Sequence, residues 1–302
     1  MTDLPALPPG IDPALFPFAR KLHRLQSGLH LHYVDDGPID AHQTVVMLHG
    51  NPTWSFYYRN VIEKLNDRFR CLALDHIGMG LSDRPDDAEY HYTLQSRVDD
   101  LSEWLDVVAP SEPIDLIVHD WGGAIGMSWA VNNPERVRRI VILNTWAFNI
   151  PPDETLPRSL SFARTGIGAF LINRFNAFSG LATRMATAKK LSKKIAHGLV
   201  APYLGGPKQR LATLRFVQDI PLKASDPAWH VLAETERDLH RLADKPILIG
   251  WGAKDFVFND RVLEEWQQHY PDAQLEYLEG VGHYTLEDAE PEFFDQIRKH
   301  LS

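Results

Sequence analysis

The segment Leu116-Ile117-Val118-His119-Asp120-Trp121-Gly122-Gly123 leaves the surrounding chain few options. An apolar run climbs to an acid, and a stretch rich in Gly and Ala follows at once. A short apolar run bounded in this way reads as a buried strand. The small residues after it open a helix rich in Ala and Gly. Strand, sharp turn and helix together form a nucleophile elbow, which lifts one side chain above the end of a sheet. The usual elbow carries Ser between glycines. Here Asp120 is the central residue, Gly122 lies two positions after it, and Val118 takes the place of the first glycine. A carboxylate in that position attacks carbon and leaves an ester on the protein. The expected chemistry therefore moves away from simple ester hydrolysis.

The rest of the chain supplies a sheet for the elbow to stand on. Leu29 to Val34, Val45 to Leu48, Leu72 to Leu74, Ile140 to Leu143, Pro246 to Trp251 and Leu275 to Leu278 read as strands. Ser55 to Leu65, with Ser55 as its cap, Leu94 to Val108, the stretch after the elbow to Asn133, Leu263 to His269 and the C-terminus read as helices. The Pro-rich residues up to Phe18 read as an irregular lead-in. Strands alternating with helices predict a mostly parallel sheet. The alternation stops after Thr145, and from Ile150 to Leu239 the patterns are helical. The expectation is an α/β core formed by residues 1–149 and 240–302, with residues 150–239 inserted as a helical cap. Such a cap would sit over the carboxyl edge of the sheet, where open sheets bind ligands.

Composition narrows the function classes. A net charge of −9 over 302 residues gives no basic surface for nucleic acid, and on average an anionic membrane repels it. No run approaches the roughly 18 apolar residues of a spanning helix. The N-terminus Met1-Thr2-Asp3-Leu4-Pro5 lacks the basic and apolar stretches of a secretory signal, which predicts a cytoplasmic protein. The one cysteine, Cys71, opens an apolar run and reads as a buried strand thiol. No cofactor-binding motif and no metal-ligand spacing enters this reading.

Three reactive residues follow in the order Asp120, Asp255, His283, each just after an expected strand. Nucleophile, acid, histidine is the chain order of the triad that accompanies such an elbow. Asp120 is ionised at neutral pH and needs no base. His283 would activate water or manage a proton in a later step. Asp255 would set its tautomer and stabilise its charged form. Taken alone, Asp255 also fits a helix cap; the ordered set is what points to chemistry. The loop His49-Gly50-Asn51-Pro52-Thr53-Trp54 supplies anion donors. In this arrangement one backbone N–H comes from that loop and another from Trp121, forming an oxyanion hole. The Asn51 amide and the Trp121 indole N–H can also point into the pocket, although Trp121 alone fits a core filler and Asn51 a turn residue.

These segments, together with Asp75-His76-Ile77-Gly78-Met79-Gly80-Leu81-Ser82-Asp83-Arg84-Pro85, resemble the haloalkane dehalogenase branch of the α/β-hydrolases. The resemblance implies that Asp120 attacks carbon while Asn51 and Trp121 hold a departing anion. Some members of that branch take the triad acid from the strand before the cap. Here that place falls near Asn144, which cannot serve, so the resemblance leaves the role to Asp255. Asn144 to Pro152, Ala201-Pro202-Tyr203 and Leu214 to Leu222 further resemble the β-lactone decarboxylases of bacterial long-chain olefin biosynthesis. That resemblance implies conversion of a cis-3,4-dialkyl-β-lactone to a cis-olefin and carbon dioxide. It also implies a small apolar substrate with long alkyl chains, and assembly with the enzymes that make the lactone.

Asp120 could attack either the lactone carbonyl or the ring C–O carbon, and both routes need anion donors. Neither consumes net water, which leaves the role of His283 open. Hydrolytic dehalogenation is the alternative chemistry. An epoxide hydrolase would want two cap tyrosines, and residues 150–239 hold only Tyr203. A non-catalytic receptor need not keep an alkylatable carboxylate. The run Lys189-Lys190-Leu191-Ser192-Lys193-Lys194 reads as a solvated helix face, or as a patch for an acidic partner or a lipid headgroup. Phe170-Leu171-Ile172 and Phe175-Asn176-Ala177-Phe178 read as channel lining or as cap core.

Overall fold

A computed structural model describes residues 4–110, 112–149, 161–162 and 164–302. Eight strands form one sheet: β1 Arg20–Arg24, β2 His30–Asp36, β3 Thr44–Leu48, β4 Arg70–Leu74, β5 Ile114–Asp120, β6 Val137–Thr145, β7 Ile247–Gly252 and β8 Gln274–Leu278. Their spatial order is β1-β2-β4-β3-β5-β6-β7-β8. The pairings β1–β2 and β2–β4 are antiparallel and the rest are parallel. Strands β3, β5 and β7 are buried along their whole length, as a sheet covered on both faces requires. The chain has the α/β-hydrolase architecture expected of it.

Helices α1 Arg59–Leu65, α2 Leu94–Val108, α3 Trp121–Asn132, α9 Asp260–His269, α10 Thr285–Asp288 and α11 Pro291–Leu301 belong to the sheet-bearing part. Between β6 and β7 the described residues hold α4 Gly166–Phe175, α5 Ala177–Met185, α6 Lys193–Val200, α7 Leu211–Asp219 and α8 Pro227–Asp238, and no strand. Residues 150–160 of the expected cap lie outside the described residues.

Register brings the carboxyl ends of the central strands level. Leu48 pairs with Val118, Val118 with Ile142, and Leu143 with Gly250. The loops carrying Asn51, Asp120 and Asp255 therefore emerge side by side. Helix α3 is buried on nearly every side, and its packing is close. A Cβ on Gly122 would run into the Leu48 carbonyl, and one on Gly123 into the Thr145 side chain. Small residues after Asp120 are thus a steric demand of the sheet.

One strand escaped the sequence reading, and one expectation needs correction. The lead-in is followed by β1, whose sequence Arg-Lys-Leu-His-Arg hides it: on an antiparallel edge no residue is fully buried, so no apolar alternation marks it. The lead-in itself is irregular apart from a 3₁₀ turn at Pro13–Leu15, and it is packed: Phe16 is buried with its ring centroid 5.1 Å from that of Trp54. Ser55 is not a helix cap. Residues Ser55–Tyr58 form a 3₁₀ turn ahead of α1, and the Ser55 N–H donates to Asp75 Oδ1 at 2.7 Å. The buried acid holds the Ser55 N–H, and the Ser55 hydroxyl has no partner among the described residues.

Candidate active site

Asp120 sits at the end of β5 with φ 51° and ψ −128°, a strained backbone for a residue with a Cβ. The turn is held from both sides. The Thr145 hydroxyl at the end of β6 donates to the Asp120 carbonyl. The Asn51 backbone N–H donates to Asp120 Oδ1 at 2.6 Å. A Cβ on Gly50 would strike the same carboxylate, so the loop after β3 can approach only because it is glycine there.

On the far side of the carboxylate stands His283, its Nε2 3.5 Å from Asp120 Oδ2. Its Nδ1 lies 2.8 Å from Asp255 Oδ2. Asp255 is oriented in turn by the Val257 backbone N–H, 2.6 Å from Oδ1. The three residues separated by 163 positions of sequence thus form one buried row, carboxylate–imidazole–carboxylate. Burial alone would lower the His283 pKa. The charges and hydrogen bonds of Asp255 and Asp120 outweigh it and push the ring up to about 10. Burial would raise the pKa of Asp120. The hydrogen bond and charge of His283, with His119 and the Trp121 backbone N–H, hold it below the usual carboxylate range. At neutral pH an imidazolium at His283 therefore faces the Asp120 anion.

Asn51 and Trp121, the residues read from the sequence as candidate anion donors, both stand beside Asp120. The Asn51 backbone N–H grips the carboxylate itself. The Asn51 side chain lines the cavity, but its Nδ2 donates to the Thr213 carbonyl of α7 at 3.1 Å, and its Oδ1 is buried without a partner among the described residues. The Trp121 ring also lines the cavity. It packs edge-on against Trp146 at 4.9 Å and tilted against Phe216 at 5.1 Å between centroids.

Several residues at the site were given no role by the sequence. His119 Nε2 donates to the His283 carbonyl at 2.8 Å; burial and the neighbouring His283 charge push its pKa down to about 3, so it serves as a neutral strut. Its place beside Asp120 at the end of a strand, pointing to the opposite face, was the available hint. Asn144 lies buried near the end of β6. Its Nδ2 donates to the Gly252 carbonyl at 3.1 Å, and its Oδ1 accepts from Gly252 N–H at 2.7 Å and from the Thr285 hydroxyl at 2.7 Å. Arg97 of α2 places its guanidinium 3.7 Å from the centroid of Phe216, behind the ring that backs Trp121.

Above the row lies a cavity of about 310 Å³. Its floor carries Asp120, His283 and Asn51; most of the remaining lining is apolar, with Leu171, Ile172 and Phe178 contributed from α4 and α5. Tyr203 is not part of it: the hydroxyl donates to the Thr53 carbonyl at 2.8 Å and clasps the inserted helices to the core. No tyrosine from the described residues between β6 and β7 lines the cavity, as an epoxide-opening site would want. Cys71 is a buried free thiol in β4, and burial pushes its pKa up.

Comparison with known proteins agrees with this geometry. A family model of the α/β-hydrolase fold matches residues 43–290. A cis-3-alkyl-4-alkyloxetan-2-one decarboxylase of Shewanella oneidensis is 45% identical over 95% of this chain and 90% of its own length. A second protein of that name, from Xanthomonas campestris pv. campestris, is 41% identical over 95% of this chain and 97% of its own. Among solved structures, a point mutant of the haloalkane dehalogenase DatA from Agrobacterium tumefaciens C58 superposes with a TM-score of 0.83 at 25% identity, covering 96% of this chain and 99% of that one. The chain belongs to the α/β-hydrolase fold family, on the branch that the oxetanone decarboxylases share with the haloalkane dehalogenases.

Proposed function

We propose that the chain converts a cis-3-alkyl-4-alkyloxetan-2-one to a cis-olefin and carbon dioxide, with Asp120 as nucleophile. Two relatives that match nearly end to end carry the name of that decarboxylase. The observation that carries the chemical reading is an ionised carboxylate at an elbow, beside a cation, under an apolar cavity. We assign residues 150–239 to the cap that closes this cavity.

Atom balance favours one point of attack. Both lactone oxygens must leave in carbon dioxide, so the ring C4–O bond has to break. Attack of Asp120 Oδ2 on C4 breaks it directly, inverts that carbon and leaves an alkyl ester and a free substrate carboxylate. The C3–carboxylate bond then breaks, its electron pair forms the double bond, and the ester oxygen leaves C4 with the other pair. Inversion followed by anti loss delivers a cis-olefin from a cis-lactone and returns Asp120 as it began. Attack on the carbonyl would instead leave an oxygen on C4. In the C4 route the negative charge passes from Asp120 to the substrate carboxylate and back. His283, charged between Asp120 and Asp255, serves as the standing counter-ion. The Asn51 amide and the Trp121 indole N–H serve the carboxylate as it develops. We further propose that the chain works alongside the enzymes that form the lactone, in the cytoplasm.

Product analysis tests the reading. Purified protein is offered a long-chain cis-β-lactone and, separately, 1-bromo- and 1-iodoalkanes. Olefin from the lactone without halide release is the expected result; alcohol and halide from the haloalkanes with an untouched lactone overturns it.

A further inference from the structure

Helices α4 and α5 turn apolar side chains outward. On α4, Ile167, Phe170 and Arg174 fall at i, i+3 and i+7; on α5, Leu181, Arg184 and Met185 fall at i, i+3 and i+4. All six are exposed, Ile167 at 67% and Phe170 at 60%. Surface helices ordinarily present a polar stripe there, and a contiguous apolar surface marks an interaction site. The patch meets the rim of the cavity at Leu181 and Met185. Phe162, Leu181, Met185 and Phe256 are each exposed and each line the space above Asp120.

Charge separates this region from the rest of the chain. Residues 155–218 contain eleven Lys or Arg and no Asp or Glu, in a chain of net charge −9; the remainder therefore carries −20 (−9 less +11). Some of these cations are used internally. Arg164 and Arg210 donate to backbone carbonyls, and Lys189, Lys194 and Arg215 pair with Glu290, Asp12 and Asp87. Arg184, Lys190 and Lys193 are exposed and, among the described residues, pair with no carboxylate.

We propose that this face docks on an anionic lipid bilayer, with α4 and α5 at the boundary of headgroups and acyl chains and the cavity mouth turned toward the lipid. Outward aromatic and aliphatic side chains flanked by Lys and Arg are what an interfacial helix presents. The acid-free band supplies attraction to anionic headgroups, which overcomes the repulsion expected from net charge alone. A cavity whose rim shares Leu181 and Met185 with this face would take a water-insoluble ligand straight from the bilayer. That last step rests on the lactone reading; the docking does not.

Vesicle co-flotation of the full chain tests it, using phosphatidylcholine alone and mixed with phosphatidylglycerol, at low and high salt. Flotation with the anionic vesicles, lost as salt rises, is expected. Ile167→Glu with Phe170→Glu removes the apolar contact, and Lys190→Glu with Lys193→Glu removes the cations. Each pair should lower the bound fraction's partition coefficient by on the order of tenfold or more. Because the first pair could disturb the cap, far-UV circular dichroism accompanies both, and the second pair, on exposed residues, stands as the independent test. No flotation with anionic vesicles overturns the proposal, including the case in which an acidic protein is retained on the same face. Flotation that neither pair weakens overturns it as well. Normal flotation by protein that makes no olefin from the lactone upholds the docking and removes the lactone reading instead.

Discussion

At the scale of single residues, the division of labour around Asp120 makes separable predictions. Asp120→Asn keeps the size and loses the anion, so no covalent ester forms. Turnover in freshly prepared protein should fall to background, with intact mass followed in parallel because deamidation would restore the acid. The donors act on charge that develops later. Trp121→Phe keeps the ring and removes the N–H, and Asn51→Ala removes the amide. Each should lower turnover by on the order of 10²-fold or more, as loss of an oxyanion donor does. Normal rates in both would leave stabilisation to the backbone N–H groups. His283→Ala separates lactone from haloalkane chemistry. Hydrolysis of an alkyl ester on Asp120 needs a base, so with a haloalkane the variant should trap the adduct and hold its added mass. The lactone route regenerates Asp120 without water, so olefin formation should be reduced but retained. Complete loss of olefin with no adduct would place His283 in the first attack. Asp120, Asp255 and His283 could be picked out of the chain because reactive residue types fell in order at strand ends. Trp146, Phe216 and Arg97 could not, since apolar rings and a helix arginine look alike whether they brace a site or fill a core.

At the scale of elements, β3, β5, β7 and the Ile140 to Leu143 stretch of β6 were legible because a strand buried on both faces is a plain apolar run. Helix α2 was legible to its ends, Thr93 capping it by accepting from the Ser96 N–H. Strand β1 was not, since charged edge residues carry no burial pattern. Asn144 shows a second kind of invisibility. Its sequence position excludes it as an acid, yet nothing there reveals that one side chain ties β6 to both backbone groups of Gly252 and to Thr285 of α10. The prediction is that Asn144→Ala destabilises the fold by about 1–3 kcal/mol, the cost of leaving buried polar groups unpaired. Urea unfolding measures this; an unchanged midpoint would mean water replaces the amide without loss.

At the scale of the whole molecule, the buried charge row couples folding to pH. The His283 pKa is raised from 6.5 to about 10 on folding. Its contribution to stability is complete below the unfolded value and is lost as pH rises through the folded one. Between those values the folded chain holds a proton that the unfolded chain releases, so stability should decline from neutral pH toward pH 10. Asp120→Asn removes one of the two flanking charges and should make that decline shallower. Urea midpoints of both proteins across this range check the sign, and parallel slopes would mean Asp255 alone holds the proton.

Cys71, sealed in β4 with its thiol pushed away from the reactive thiolate form, has a practical consequence. To a maleimide or a spin-label reagent the folded chain is thiol-free as it stands. A single cysteine introduced at an exposed position such as Gly180 would carry a fluorophore or nitroxide at one known place. No cysteine-free background has to be engineered, and spectral shift or paramagnetic quenching at that place can be read as depth.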